Sequence, residues 1–369
     1  MSAGQKVRGL AKLLPEWAWN RAKRTPMASY NPTRKVEVTQ KDITPVYTVY
    51  NYDLTSYEET KVPDALSCGT YLNSSKITWI NIEGLRKDEI EKICAHYNIH
   101  PLVIEDILSI GQRAKMDEID NGIFCLLPML YYNDSTGAIE TEQVSIVLGK
   151  NFVISFQEDP ERDVFDPVRE KIKIGNSKIR TSQADYLCYS LIDTIVDSYF
   201  HIIDKINERI ERLEDTLLLQ KERAALEKIS ILRREIMLMR RAISPVRDLV
   251  NSFLVSENPL LDERHDKYYK DVLDHITQAN EYVENHREML MNLQDLSMSQ
   301  INLRTNDVMK VFTLLATLMA PATVIGGIFG MNFDIIPLAH HKEGFYLTVA
   351  IMLLIPVVMM FYFKRKGWF

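Results

Sequence analysis

The residues Asn306, Met309, Thr313, Ala316, Ala320, Thr323, Gly327 and Gly330 recur at alternating steps of three and four, so they share one face of a helix. That stripe is small or weakly polar, whereas the opposite one, Val311, Leu314, Leu315, Leu318, Ile325 and Phe329, is bulky. Small side chains let helices approach closely, and Gly326 with Gly330 adds a small-xxx-small pair. The stripe suits either a packing seam in a dimer or an axis shared by several copies, along which an ion passes. At its end stands Gly330-Met331-Asn332. Glycine there permits close backbone approach and frees carbonyl oxygens, and Asn332 adds an amide oxygen. A ring of neutral oxygens is what a strongly hydrated cation such as Mg2+ can meet without shedding waters that it releases reluctantly.

These residues belong to the first of two charge-free apolar stretches, Val311 to Phe333 and Gly344 to Phe363. Each reaches the ~20 residues that cross ~30 Å of hydrocarbon, so two membrane spans are expected at the C-terminal end. Two spans in one chain cannot enclose an aqueous path, so a channel requires an oligomer. Lys364, Arg365 and Lys366 follow the second span, Arg304 and Lys310 precede the first, and only Lys342 lies between. By the positive-inside rule both ends are cytoplasmic and the stretch from about Asn332 to Glu343 faces outside.

The 369 residues are 46% hydrophobic and carry a net charge of -6, although the membrane-proximal tail is basic. Acid is therefore concentrated in the soluble part, which makes nucleic acid an unsuitable partner and divalent cations a suitable one. Cys68, Cys94, Cys125 and Cys188 are widely spaced, so neither a disulfide framework nor a structural zinc site is expected. Residues 1–35 are basic and amphipathic, with Leu10, Leu13, Leu14, Trp17 and Trp19 among Lys and Arg; they read as a membrane-surface or flexible arm, or as an organellar transit peptide.

Upstream of the spans the period of the apolar pattern changes. Over 36–182, β-rich runs such as Val46 to Tyr50, Ile77 to Ile82, Ile123 to Met129, Val144 to Leu148 and Phe152 to Phe156 interleave with helical spacing at Arg86 to Tyr97 and Pro101 to Ser109, which predicts a layered α/β domain. Over 183–260 long antiparallel helices are expected, the second running from about Glu222 to Ile243 and interrupted by Pro245. No proline or glycine falls between Pro259 and Pro321, so one stalk helix over 261–331 should run from about Leu261 into the first span. An external loop at 332–343, a second span at 344–363 and a basic cytoplasmic tail at 364–369 complete an α+β membrane protein. No phosphate loop, nucleophile elbow or HExxH motif is present, and no enzymatic activity is expected.

Phe329-Gly330-Met331-Asn332-Phe333 between the spans resembles the Tyr-Gly-Met-Asn-Phe motif of the CorA magnesium-channel family. The resemblance extends through Asn306-Asp307-Val308-Met309-Lys310-Val311, Trp79-Ile80-Asn81-Ile82, the run His100 to Leu108, Glu142-Gln143-Val144-Ser145, Phe165 to Arg169 and Ala184-Asp185-Tyr186-Leu187, and covers nearly all the chain from about Tyr47. It implies a funnel-shaped homopentamer in the cell (inner) membrane, with stalk helices lining a pore for electrophoretic entry of Mg2+, and of Co2+ or Ni2+, which are similarly hydrated. Two charges moving through 100 mV release about 4.6 kcal/mol, which suffices to drive such entry.

By the same resemblance, Gly330, Met331 and Asn332 form the outer selectivity ring, Thr323 and Asn306 are polar stations further in, and Met309, Phe312 and Ala320 occupy the hydrophobic constriction. Phe312 and Ala320 depart from the aliphatic and Met residues common there. Asp106 and Asp295 resemble an intersubunit Mg2+ sensor pair, and Glu105, Asp193 and Asp271 an adjacent second site, making Mg2+ both cargo and regulator. The loop lacks the family's Met-Pro-Glu-Leu glutamate; Asp334 and Glu343 are placed to replace its pull on cations, and His340 and His341 to add pH or transition-metal dependence. Competing readings are a Zn2+ transporter of the same superfamily, against which the full Gly-Met-Asn motif argues, and a non-conducting membrane-anchored cation sensor or scaffold.

Overall fold

From Val46 to Gln157 buried apolar side chains alternate in steps of two, and the chain forms a seven-stranded sheet with both faces covered. The structure, a computed structural model, describes residues 44–72, 74–160, 162–218, 225–331, 336–338 and 341–367. The strands are β1 (Val46–Tyr52), β2 (Tyr57–Val62), β3 (Ile77–Glu83), β4 (Lys115–Ile119), β5 (Gly122–Asn133), β6 (Ala138–Leu148) and β7 (Phe152–Gln157), in the order β2-β1-β3-β7-β6-β5-β4. Only β3 and β7 pair in parallel; every other neighbouring pair is antiparallel.

One face of the sheet, with Ile80, Ile82, Phe124, Leu126, Ile154 and Phe156, packs on α1 (Ala65–Cys68), α2 (Lys87–His96) and α3 (Pro101–Leu108). The other, with Trp79, Cys125, Leu127, Ile146 and Val153, packs on α4 (Asp166–Lys173), α5 (Lys178–Thr181) and three long helices, α6 (Ala184–Leu218), α7 (Ala225–Val255) and α8 (Asp266–Phe329). Trp79 is fully buried, stacks on Tyr50 with ring centroids 4.7 Å apart, and donates its indole N–H to Ser155 Oγ at 2.9 Å, which donates in turn to Asn81 Oδ1 at 2.6 Å.

The interleaved strands and helices match the reading from the pattern, with local differences. β2 and β4 were not foreseen: Tyr-Glu-Glu-Thr-Lys-Val and Lys-Met-Asp-Glu-Ile carry charge on edge strands, where hydrophobic alternation is weak and lysine protects the exposed edge. α7 continues through Pro245 to Val255, because Ile243, Val246, Leu249 and Val250 are buried and their packing outweighs the ~3 kcal/mol cost of proline in a helix. α8 begins at Asp266 and not at Leu261; a 3-10 turn over Glu263–His265 precedes it, with the Asp262 carboxylate accepting from Arg264 N.

That start is fixed by the Ala184-Asp185-Tyr186-Leu187 segment. The buried Asp185 carboxylate accepts from Asp262 N at 3.0 Å and lies 2.7 Å from His265 Nδ1, and Tyr269 Oη donates to the Asp185 carbonyl. The first turn of α8 is thereby tied to the first turn of α6. At 1.5 Å per residue α8 is about 95 Å long, far beyond any span. α9 (Gly344–Arg365) returns beside its C-terminal part.

Candidate ion pathway and cation-sensing carboxylates

The lower part of α8 buries Tyr269, Val272, Ile276, Ala279, Val283, His286, Leu290, Leu293 and Ser297, a strict alternation of threes and fours packed against α6 and α7. Continued by sevens, the same two rows reach Leu314, Leu318, Pro321 and Ile325, which are half-buried, as are the neighbouring Thr317 and Ala322. This seam holds the buried residues of α8 within the chain. Gly326 lies next to this seam; a Cβ there would come 3.3 Å from Met352 Cε of α9, so its smallness serves packing between the two spans of one chain. Val311, Leu315 and Phe329, expected to share the bulky stripe, are exposed and suit lipid.

The small stripe sits two residues further on in each heptad, about 200° around the helix from the packing seam. Asn306, Met309, Thr313, Ala316, Ala320, Thr323, Gly327 and Gly330 are all exposed, as is Phe312 beside them. Followed toward the N-terminus, the same two rows carry Asp271, Asp274, Glu281, Glu288 and Asp295, then Asn302, every one exposed. A single face thus runs from acidic through amide to small residues over the length of α8. Within the stripe Thr323 Oγ1 donates to the Met319 carbonyl at 3.0 Å, which satisfies its proton inside the helix and leaves its oxygen lone pairs outward.

α8 ends at Phe329. Gly330 N bonds Gly326 O at 3.0 Å and Met331 N bonds Ile328 O at 3.2 Å, and a helix end leaves its last carbonyls without intrahelical donors. The negative end of the helix dipole falls at the same point, which favours a cation there. Asn332, Asp334 and His340 lie outside the described residues. Glu343, at the N-cap of α9, and His341 are exposed.

The carboxylates are placed less simply. Asp106, on α3, holds Lys115 Nζ of β4 at 2.7 Å on one oxygen and accepts from Gln112 Nε2 at 2.9 Å on the other. Gln143 clamps this region: its amide donates to the Asp106 and Ile107 carbonyls at 3.0 and 3.4 Å and accepts from Gly111 N and Gln112 N at 3.1 and 3.3 Å. That gives the Glu142-Gln143-Val144-Ser145 segment a local task. Glu105 and Asp295 are exposed, and within one chain Asp106 is ion-paired to Lys115, not joined to Asp295.

Asp193 of α6 converges with Asp197, one turn on, and His275 of α8, with ligand atoms within 4.8 Å of one another; Glu105 and Asp271 are not in that group. Burial, then the Asp197 charge, pushes the Asp193 carboxyl up to about 6. Asp271 shares the neighbourhood, since both it and Asp193 help raise the Tyr189 phenol after burial has done most. Sequence reasoning missed Asp197, His275, Lys115 and Gln143. The first was findable from its i,i+4 spacing to Asp193, whereas the others required the tertiary fold.

The chain thus joins an α/β domain to a stalk of three helices and to two helices long and apolar enough to cross a membrane, the first carrying a small stripe on its exposed face. Residues 74–365 match the family described as "CorA-like Mg2+ transporter protein", and the chain belongs to that family. It is 40% identical over 321 residues to the cobalt/magnesium transport protein CorA of Thermotoga maritima, covering 87% of this chain and 91% of that one. It is 31% identical over 292 residues to the putative metal ion transporter YfjQ of Bacillus subtilis, covering 79% and 89%. The complete structure of the CorA magnesium transporter from Methanocaldococcus jannaschii superposes with a TM-score of 0.73 at 22% identity, over 89% of this chain and 99% of that one.

Proposed function

We propose that this chain is the subunit of a homopentameric channel in the cell membrane that admits Mg2+, and also Co2+ and Ni2+, down the electrical gradient. The observation that carries the reading is the exposed face of α8, opposite the seam used for packing within the chain. Copies arranged around that face enclose a path that is acidic on the cytoplasmic side, amide-rich at Asn302 and Asn306, and small-walled from Thr313 to Gly330. Acidic rings concentrate dications, and neutral oxygens further out accept their hydration shells. Met309, Phe312 and Ala320 form the apolar constriction; Thr323, the Gly330 carbonyl, Met331 and Asn332 form the outer polar stations. Both termini are cytoplasmic, with Asp334 and Glu343 at the outer mouth.

Regulation follows from the carboxylates. Asp106 of one subunit faces Asp295 of its neighbour; they repel until a bridging dication stabilises the closed arrangement, so cytoplasmic Mg2+ limits its own entry. Glu105 and Asp271 supplement a second site at Asp193, to which Asp197 and His275 add ligands. Mg2+ prefers oxygen donors and keeps several waters, a demand that exposed Glu105 and Asp295 meet directly.

Asp106→Ala and Asp295→Lys are each expected to raise the Mg2+ concentration that protects the full-length protein from protease by about tenfold, the effect of losing one of two facing carboxylates. Unchanged protection in both variants removes them as sensors.

A further inference from the structure

Both oxygens of the Asp106 carboxylate are already engaged within its own chain. Lys115 Nζ sits 2.7 Å from Asp106 Oδ2 and 2.7 Å from Asp117 Oδ2, and over the Phe124 ring at 5.8 Å from its centroid. Gln112 Nε2 holds Asp106 Oδ1 at 2.9 Å, and the Gln143 amide pins the backbone on both sides of it. The ammonium is therefore a built component of the site. β4 pairs with β5 through Lys115↔Leu126, so the Lys115 backbone has little freedom to withdraw.

We propose that Lys115 is a tethered counter-cation that competes with Mg2+ for Asp106 and thereby sets the cytoplasmic concentration at which the channel closes. The inference rests on the reading of Asp106 as a sensor. With no dication present the carboxylate keeps its charge neutralised by Lys115, so the subunit interface carries less repulsion than a bare pair of aspartates would create. A dication that joins Asp106 must turn the ammonium toward Asp117 and tolerate its charge nearby, which weakens binding and moves the response to higher Mg2+. Asp117, about half exposed, provides the second resting place that makes this exchange possible without stranding a charge. Lysine suits the task, because its ammonium is a mobile point charge on a flexible stem.

The test is a Mg2+ titration of protease protection on the full-length protein for wild type, Lys115→Gln, Lys115→Arg and Asp106→Asn, with thermal unfolding in chelator as the folding control. Lys115→Gln is expected to lower the half-protecting Mg2+ concentration about tenfold, the order for removing a unit charge some 5 Å from a dication in a water-rich setting. Lys115→Arg keeps the charge and should stay near wild type. If Lys115→Gln leaves the midpoint unchanged or raises it while Asp106→Asn shifts it, the competition is refuted and the sensor stands. If Asp106→Asn itself leaves the midpoint unchanged, the sensor reading fails. Should Lys115→Gln unfold in chelator, Lys115→Met replaces it with the same expected shift and the same refuting result.

Discussion

Ala316→Trp should cut Mg2+ uptake about tenfold or more while leaving the cytoplasmic domain's unfolding midpoint unchanged, because a ring of indoles fills a narrow path that one methyl group leaves open. Ala316 is exposed, on the face of α8 turned away from the buried row Tyr269 to Ser297, so a larger side chain there meets little of its own subunit. The same change at Val358, exposed on α9 and not on the small stripe of α8, should leave uptake near wild type. Uptake would be measured in whole cells at matched expression, with assembly checked by sizing in detergent. Equal uptake by the Ala316 variant and wild type would place the path elsewhere. Equal loss in both variants would point to a packing defect.

The second large effect is on stability. Trp79→Ala removes the largest fully buried side chain of the sheet and should cost ~3–5 kcal/mol, the range for aromatic deletions in a packed core. It empties the space between Tyr50 and the edge of Phe165, whose ring centroid lies 5.9 Å from the indole, and removes the donor to Ser155 Oγ. Ser155 keeps Asn81 as a partner, so the loss is mainly cavity and contact. Trp79→Phe should cost less than half as much, since it retains a ring but not the N–H. Urea unfolding followed by far-ultraviolet circular dichroism reads the difference; an Ala variant as stable as the Phe variant would contradict this account of the core.

Much of this architecture is visible in the chain itself because its periods are long and regular. Steps of two give the sheet between Tyr47 and Phe156, and steps of three and four give α6 and α8, where many repeats reinforce one another. The small stripe on α8 was legible for the same reason. Its separation from the packing seam was not, since only the burial of Tyr269 through Ser297 shows which heptad positions the subunit uses for itself. Edge strands β2 and β4 were hidden by charge, and Pro245 misled because its local cost is overruled by neighbours distant in sequence.

The carboxylates mark the same boundary. Motif resemblance could name Asp106, but the ammonium that occupies it comes from a strand nine residues on whose own pattern is weak. Asp193 was named with Glu105 and Asp271, yet its convergent neighbours are Asp197 and His275, the latter brought in by packing of α8 on α6. Charged residues on exposed helix faces carry little information about partners until tertiary structure supplies them.

The central claim is that the segment Gly330 to Asn332, which follows α8 in the chain, lines the outer end of a cation path formed by several copies. Its most direct test is Mg2+ flux into proteoliposomes of the purified protein at negative inside potential, comparing wild type with Asn332→Ala. The account predicts flux that grows with the potential in wild type and falls about tenfold or more in the variant, as expected when a ring of ligating amides is removed. Absence of Mg2+ flux in correctly assembled wild type, or equal flux in both proteins, would contradict it.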